Sequence, residues 1–357
     1  MEPIVTLVVV SYNCKEWLPR FFESLKQQTI FPRCEVLLVD NSSKDGTAEV
    51  CAEEMKSWSN GRFLPTGGNY GFGGGCNFGA RQARGKFLFF MNPDVWFERD
   101  CLEALVRQAE SAPVKAFFAL EMPYESEAFD PANHSQGVPG FDIFGCMTAQ
   151  STKENLDRLF APGSFFFIER DLFQKIGQFD REFFVYGEEM DMSWRIRIAG
   201  ESIEVVRAAH LHHAGATSSD EAARTSEFRR FYANRNQILL LAKNAHGPLL
   251  LLIFTHIALI AVETLAGAIL ARNISFIKAT FFQALADCWR LRGYIFEERR
   301  RIRGYRRRGD LWIARHFFRF TFGHWQDIKR FLKWKIEVQK SPLPASTKSP
   351  TTGNHQP

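Results

Sequence analysis

Two short runs of aliphatic and β-branched residues, 6–10 (Thr-Leu-Val-Val-Val) and 35–40 (Glu-Val-Leu-Leu-Val-Asp), show no polar alternation, the pattern of strands covered on both faces. Between them Trp17, Leu18, Phe21, Phe22 and Leu25 recur at helical spacing within 15–28, so the chain opens with a predicted β-α-β unit. Residues 41–47 carry turn chemistry, 48–58 read as a helix, and 86–91 (Lys-Phe-Leu-Phe-Phe-Met) as a third strong strand. The first hundred residues are therefore expected to be α/β. Each strand ends in polar residues: Ser11, Tyr12 and Asn13 after the first, Asp40 and Asn41 at the second, Asn92, Pro93 and Asp94 after the third. In open parallel sheets the ligand crevice lies beyond the carboxyl ends of the strands, so these tips are expected to converge on one site.

From 100 to 230 the pattern is irregular, with strands expected near 164–169 and 202–207 and an amphipathic helix over 190–199. Residues 249–271 are almost wholly apolar, with Glu263 the only formal charge, and at roughly 1.5 Å per residue are long enough to cross a bilayer. A shorter apolar stretch, 274–289, is broken by Lys278 and Asp287, an arginine-rich run occupies 299–308, and 341–357 reads as a disordered Pro/Ser/Thr tail. No internal repeat is evident.

The 357 residues are 45% hydrophobic and 24% charged, ordinary globular proportions that exclude disorder throughout and leave ample material for a core. Seven scattered cysteines without a C-x-x-C pair indicate neither a disulfide framework nor a zinc knuckle, and point to a reducing, cytosolic compartment. No basic stretch precedes the first apolar run, so no secretory signal is expected. The net charge of +5 conceals a split: 272–340 hold 18 Lys and Arg against 6 Asp and Glu, leaving the preceding residues net acidic. That asymmetry suggests an acidic or metal-binding catalytic body followed by a basic segment that meets something anionic. A nucleic-acid-binding reading accounts for the arginine run with Tyr305 and Trp312, but leaves the strand-end motifs without a purpose, so no nucleic-acid partner is expected.

Five segments carry the candidate chemistry in order: 9–13 (Val-Val-Ser-Tyr-Asn), 39–47 (Val-Asp-Asn-Ser-Ser-Lys-Asp-Gly-Thr), the glycine-rich loop 67–79, 92–95 (Asn-Pro-Asp-Val), and 179–195 with its Gly-Glu-Glu-Met-Asp core at 187–191. The glycine-rich loop is not a dinucleotide fingerprint, because Cys76 stands where the third glycine belongs and the first β-α turn has no glycine. Together the five resemble family 2 glycosyltransferases of GT-A fold, and within them the bacterial rhamnosyltransferase-like branch, over residues 4–240.

The resemblance implies a GT-A type, Rossmann-like α/β/α sandwich through residue 240, and the hydrophobic and then basic pattern that follows reads as a helical membrane-associating region over 241–340 with a tail from 341. It implies that Asp40 binds the nucleotide base and that Ser11, Tyr12 and Asn13 line the nucleoside pocket; a carboxylate accepts an imide N–H and an aromatic ring offers a stacking face. Asn69, Gly71 and Asn77 are then expected against the nucleotide sugar. Asp94 falls where the family's Asp-x-Asp holds Mg²⁺ or Mn²⁺ against the donor diphosphate, with Asn92 replacing the first Asp. Glu189 takes the place of the base that deprotonates the acceptor hydroxyl, with Glu188 and Asp191 beside it, since clustered carboxylates raise one pKa. His213, in a segment trailing to Ser218, is expected to complete the metal or diphosphate site. Read alone, Asp40 and 92–94 also fit turn-capping, the glycines a wide structural turn, and 188–191 a solvated helix start.

The implied reaction is direct displacement with inversion, from dTDP-rhamnose or a UDP-hexose to a lipid-linked or cell-surface glycan acceptor, at the cytoplasmic face of the plasma membrane. A single span at 249–271 would place the basic region outside, against the positive-inside tendency. A re-entrant or in-plane hairpin with the arginine-rich helices on anionic headgroups is therefore preferred. The alternative function is a catalytically inactive GT-A scaffold or sugar-binding subunit.

Overall fold

The computed structural model describes residues 2–122, 140–148, 158–215, 227–271 and 275–319. The first unit is β1 (Val5–Ser11), a 3₁₀ turn at Lys15–Trp17, α1 (Leu18–Lys26) and β2 (Cys34–Asp40), with both strands buried along their whole length as their unbroken apolar runs require. Pro19 in the first turn of α1 costs no hydrogen bond there. The chain continues through α2 (Thr47–Met55), β3 (Gly61–Pro65), α3 (Gly71–Ala80), β4 (Phe87–Met91), β5 (Val95–Phe97), α4 (Cys101–Ser111) and β6 (Ala116–Met122). After a two-stranded ribbon, β7 (Gly140–Phe141) with β8 (Met147–Thr148), come β9 (Phe165–Glu169), α5 (Arg170–Lys175), α6 (Glu188–Ile198) and β10 (Ile203–His213).

The main sheet runs β3-β2-β1-β4-β9-β6-β10-β5. Neighbours β3, β2, β1 and β4 are parallel, β9 runs against both β4 and β6, β10 is parallel to β6, and β5 closes the edge antiparallel to β10. Parallel β1, β2 and β4 thus end on one edge, which gathers the three polar tips. The core beneath is aromatic, with Phe89 and Phe90 of β4 and Phe165, Phe166 and Phe167 of β9 all buried.

The glycine-rich loop expected at 67–79 is instead largely helix, α3, from Gly71 onward. A Cβ on Gly75 would sit 2.7 Å from Val10 Cγ1, and one on Gly79 would sit 2.5 Å from Val8 Cγ1. The glycines let a helix lie directly on β1 and β2, and this close packing overrides their poor helix propensity.

Beyond the sheet stand α7 (Glu227–Asn244), a 3₁₀ turn at Gly247–Leu251, α8 (Leu252–Ala271), α9 (Ser275–Ile277) leading through a π turn (Lys278–Phe282) into α10 (Gln283–Arg290), then α11 (Arg292–Tyr305) and α12 (Asp310–Phe317). The apolar stretch at 249–271 forms the one helix, among the described residues, long and apolar enough by composition to cross a membrane. The arginine run does not lie wholly on the surface. Arg299 donates to the carbonyls of Ala242 and Ala245 at the end of α7, Arg301 to Ile176 O after α5, and the backbone N–H groups of Arg307 and Arg308 to Ile198 O at the end of α6. These residues close three helix C-termini, two through guanidinium donors and the end of α6 through backbone N–H groups. Ser218 and the tail from 341 lie outside the described residues.

Candidate active site

At the β1 and β2 tips, Ser11 and Asp40 are buried and joined, Ser11 Oγ donating to Asp40 Oδ1 at 3.1 Å. Ser43 donates from Oγ to Asp40 Oδ1 (2.6 Å) and from its backbone N–H to Oδ2 (3.0 Å), so the Asp40 carboxylate also caps its own turn. Asn13, at φ 48°, accepts from Lys44 N on its side-chain Oδ1 (2.8 Å), which binds the two tips together. Tyr12 is 48% exposed.

Asn69 is exposed and accepts from Gly71 N at 2.9 Å, which starts α3. Gly71 has φ +71°, and a Cβ there would collide with the Phe184 carbonyl oxygen at 1.8 Å. Its own carbonyl accepts from Asn41 Nδ2 at 2.9 Å. Asn77 is buried and pairs twice with the Phe179 backbone, donating to O at 2.8 Å and accepting from N at 3.0 Å. Its amide is occupied in tying α3 to the segment ahead of α6.

Asp94 lies between β4 and β5, nearly buried, with Oδ1 lacking a hydrogen-bond partner. Its Oδ2 faces His213 Nε2 at 3.4 Å, and His213 Nδ1 faces Glu121 Oε1 at 3.6 Å. The antiparallel pairing of His213 with Val95 brings β10 to this corner. Burial opposes charging of the imidazole, but Asp94 and Glu121 outweigh it and push His213 up to about 9. Its neighbour His212 turns away, bonded to Glu98 at 2.8 Å and stacked on Trp96. Glu121 escaped the sequence reading; the available signal was a polar residue ending the apolar run 116–120, as at the other tips.

A divalent cation fits this corner. A buried carboxylate oxygen without a partner is costly unless something binds it, and carboxylate plus imidazole is a reasonable partial ligand set for Mg²⁺ or Mn²⁺ once phosphate oxygens complete it. Among the described residues no group of three or more His, Cys, Asp and Glu side chains is disposed to hold a metal alone.

The third component is the start of α6. Gly187, at φ +92°, turns the chain so that Glu188 and Glu189 open the helix. Glu188 is buried against α3 with Oε2 unpartnered, and burial beside Glu189 drives its carboxyl well above the usual range. Burial also raises Glu189, which keeps partial exposure and packs against Gly163, where a Cβ would meet its Cβ at 3.3 Å. The next residue, Ser164, accepts from Asn92 N at 3.4 Å, so a two-residue bridge links the Asn92–Asp94 turn to Glu189. Asp191 is different: it is fully buried, with Oδ2 on Arg195 (2.8 Å) and Oδ1 on Lys243 (2.9 Å) and Asn244 (2.8 Å). Burial opposes its charge, yet Arg195 and Lys243 hold it down at about 2.

A mixed sheet of this order, with acidic residues at the strand tips and an acidic start to α6, is GT-A-like. The family model "Glycosyl transferase family 2" matches residues 6–177. An N-acetylglucosaminyl-diphospho-decaprenol L-rhamnosyltransferase of Mycobacterium tuberculosis is 28% identical over 251 residues, covering 62% of this chain and 80% of its own. Rhamnosyltransferase WbbL of Escherichia coli is 24% identical, covering 65% and 96% respectively. Among solved structures, the mannosyltransferase PcManGT of Pyrobaculum calidifontis, in complex with GDP-Man and Mn²⁺, superposes with a TM-score of 0.50 at 17% identity over 81% of this chain and 86% of its own. Over residues 6–177 the chain is similar to the family 2 glycosyltransferases, and over nearly two thirds of its length to rhamnosyltransferases. It is a glycosyltransferase of the inverting type that draws its sugar from a nucleotide-sugar donor.

Proposed function

We propose that the enzyme moves a rhamnosyl or related hexosyl group from a dTDP- or UDP-sugar to a lipid-linked or glycan acceptor at the cytoplasmic face of the plasma membrane. The observation that carries this reading is the unpartnered, buried oxygen of Asp94 beside His213, on the edge where Asp40 ends β2. A relative named for a sugar acceptor on diphospho-decaprenol supports a lipid-linked acceptor, and relatives named rhamnosyltransferases support the donor class.

In this reading Asp40, steadied by Ser11 and Ser43, accepts from the pyrimidine base while Tyr12 covers it. Asp94 and His213 would hold a divalent cation beside the diphosphate, where it would neutralise charge that builds on the leaving group. Glu189 is the general base: its partial exposure admits an acceptor hydroxyl, and its raised pKa strengthens it as a proton acceptor near neutral pH. The acceptor oxygen attacks the anomeric carbon from the face opposite the nucleoside diphosphate, which departs as configuration inverts.

Membrane contact belongs to the same proposal. The outward face of α8 carries exposed Phe254, Val262, Leu265 and Ile269, while Leu252, His256, Ile260, Thr264 and Ala268 on its other face are buried against the protein. A helix packed on one side and apolar on the other suits an in-plane position better than a span surrounded by lipid.

The test is a calorimetric panel of UDP, dTDP, GDP and their sugars with and without Mn²⁺, followed by turnover of whichever donor binds. Metal-dependent binding of a uridine or thymidine nucleotide, lost in Asp40→Ala and Asp94→Ala, is expected. Binding of GDP alone would overturn the donor class, and donor binding without turnover on any lipid-linked or glycan acceptor would favour the inactive scaffold.

A further inference from the structure

The segment that delivers Glu188 and Glu189 is unusual in its backbone. Phe184 and Tyr186 take φ of 58° and 64°, conformations side-chain-bearing residues rarely adopt, and Gly187 follows at 92°. Such a turn persists only where its surroundings over-determine it. One side chain from outside the segment does so: the Nδ2 of buried Asn236, in the middle of α7, lies 2.9, 2.8 and 2.7 Å from the carbonyl oxygens of Phe183, Val185 and Tyr186. The amide is itself fixed, its Oδ1 accepting from Arg235 at 2.8 Å. Arg235 also donates to the Glu182 carbonyl and pairs with Asp287 of α10 at 2.8 Å. On the opposite side of the turn the Phe184 carbonyl faces Gly71, which Asn41 holds from the β2 tip. The turn is thus clamped between the donor edge and α7.

We propose that Asn236 is a positioning residue for the transfer reaction, holding the turn at 183–187 so that the carboxylate at the start of α6 meets the acceptor. The inference rests on the reading of Glu189 as the base. The amide nitrogen brings two hydrogens to three carbonyls, one of them shared, and Asp, Leu or Ala brings none. With the clamp removed, the turn gains access to backbone states in which the carboxylate is displaced, and a displacement of about 1 Å in a reacting group costs on the order of 10²-fold in rate.

The experiment compares Asn236→Ala, Asn236→Asp and Glu189→Gln in the full chain. It uses turnover, donor affinity by calorimetry, thermal melting and amide hydrogen exchange. The expected result for the Asn236 variants is a fall in kcat of roughly 10- to 100-fold, with donor affinity within about twofold of the parent. Exchange should accelerate at 183–187 while the amides of β1, β2 and β4 stay protected. Unchanged kcat in both Asn236 variants while Glu189→Gln is inactive would overturn the positioning role and leave the base assignment standing. Full activity of Glu189→Gln would instead remove the base on which the inference rests. Should Asn236→Ala not fold, Arg235→Lys, which loosens the amide without removing it, is expected to lower kcat by a smaller factor with the same selective exchange; a uniform rise in exchange across the sheet would overturn the proposal in favour of a general structural role.

Discussion

Within four positions of α6 the same functional group is driven in opposite directions, and the neighbours decide which. Burial raises the pKa of both Glu188 and Glu189, that of Glu188 further because Glu189 is beside it, whereas Arg195 and Lys243 hold Asp191 ionised. Glu189→Gln is expected to cost roughly 10²- to 10⁴-fold in turnover with donor affinity retained, measured by initial rates beside calorimetry. As the proposed base, the raised Glu189 must be ionised to accept a proton, so activity should fall as pH drops through a value above the ordinary carboxylate range, giving an acid limb that Glu189→Gln lacks. Asp191 contributes stability instead. Its folded pKa of about 2 lies below the unfolded value of about 3.9, so its contribution is complete above the latter and is lost as pH falls towards the former. Asp191→Asn leaves two buried cations short of a partner and is expected to cost about 3 to 5 kcal/mol in urea melts at neutral pH, a difference that shrinks towards pH 2. The sequence located this acidic cluster but did not separate its members, because the cations that define Asp191 come from Arg195 and from Lys243, 52 residues away in the chain. Glu121 was hidden for the same reason: its significance depends on His213, brought beside it by strand pairing rather than by spacing.

Elements were legible where burial alone dictates the pattern. The apolar runs of β1, β2 and β4, and the helical spacing of α1, translate directly into the observed units because parallel strands covered on both faces admit little else. The glycine-rich helix was not legible, since glycine favours loops by its own propensity and only the flat approach to Val8, Val10 and Val39 makes a helix of it. This yields a contrast testable by thermal melting. Gly79→Ala improves helix propensity yet places a methyl 2.5 Å from Val8 Cγ1 and 3.0 Å from Val39 Cγ2, and is expected to destabilise by about 1 to 3 kcal/mol. Gly68→Ala, whose nearest neighbour would be the Tyr70 ring at 3.7 Å, should change stability by less than about 0.5 kcal/mol. The arginine run was half legible. Its charge suggested an anionic partner, but Arg299 and Arg301 are spent on helix carbonyls, and only contacts distant in sequence reveal that.

At the scale of the whole molecule, the question is what meets the side of the enzyme where α8 and α11 lie. Arg292, Arg300 and Arg303 of α11 remain exposed with Trp289 and Phe296, and the outward stripe of α8 is apolar from Leu251 to Ile269. In the in-plane arrangement proposed for this region, both features act together: apolar side chains enter the headgroup boundary and arginines meet phosphate. Each large side chain transferred is worth roughly 1.5 to 3 kcal/mol, and each arginine near an anionic surface about 1 kcal/mol. The pair Phe254→Glu and Leu265→Glu is therefore expected to lower partitioning onto phosphatidylglycerol vesicles by well over tenfold in flotation. Replacing Arg300 and Arg303 by Gln should lower it less, and only on anionic vesicles at low salt. Both pairs lie away from the strand tips, so turnover on a soluble acceptor analogue should persist while turnover on a membrane-embedded acceptor falls with partitioning. A single span predicts a different outcome: a lone glutamate at Phe254 or Leu265 would leave the chain anchored, and extraction with carbonate would fail to release the parent protein. In-plane attachment predicts release, because one narrow face of α8, Leu252, His256, Ile260, Thr264 and Ala268, is already packed on the protein and Glu263 pairs with Arg230 at 3.4 Å, so lipid meets only the remaining face.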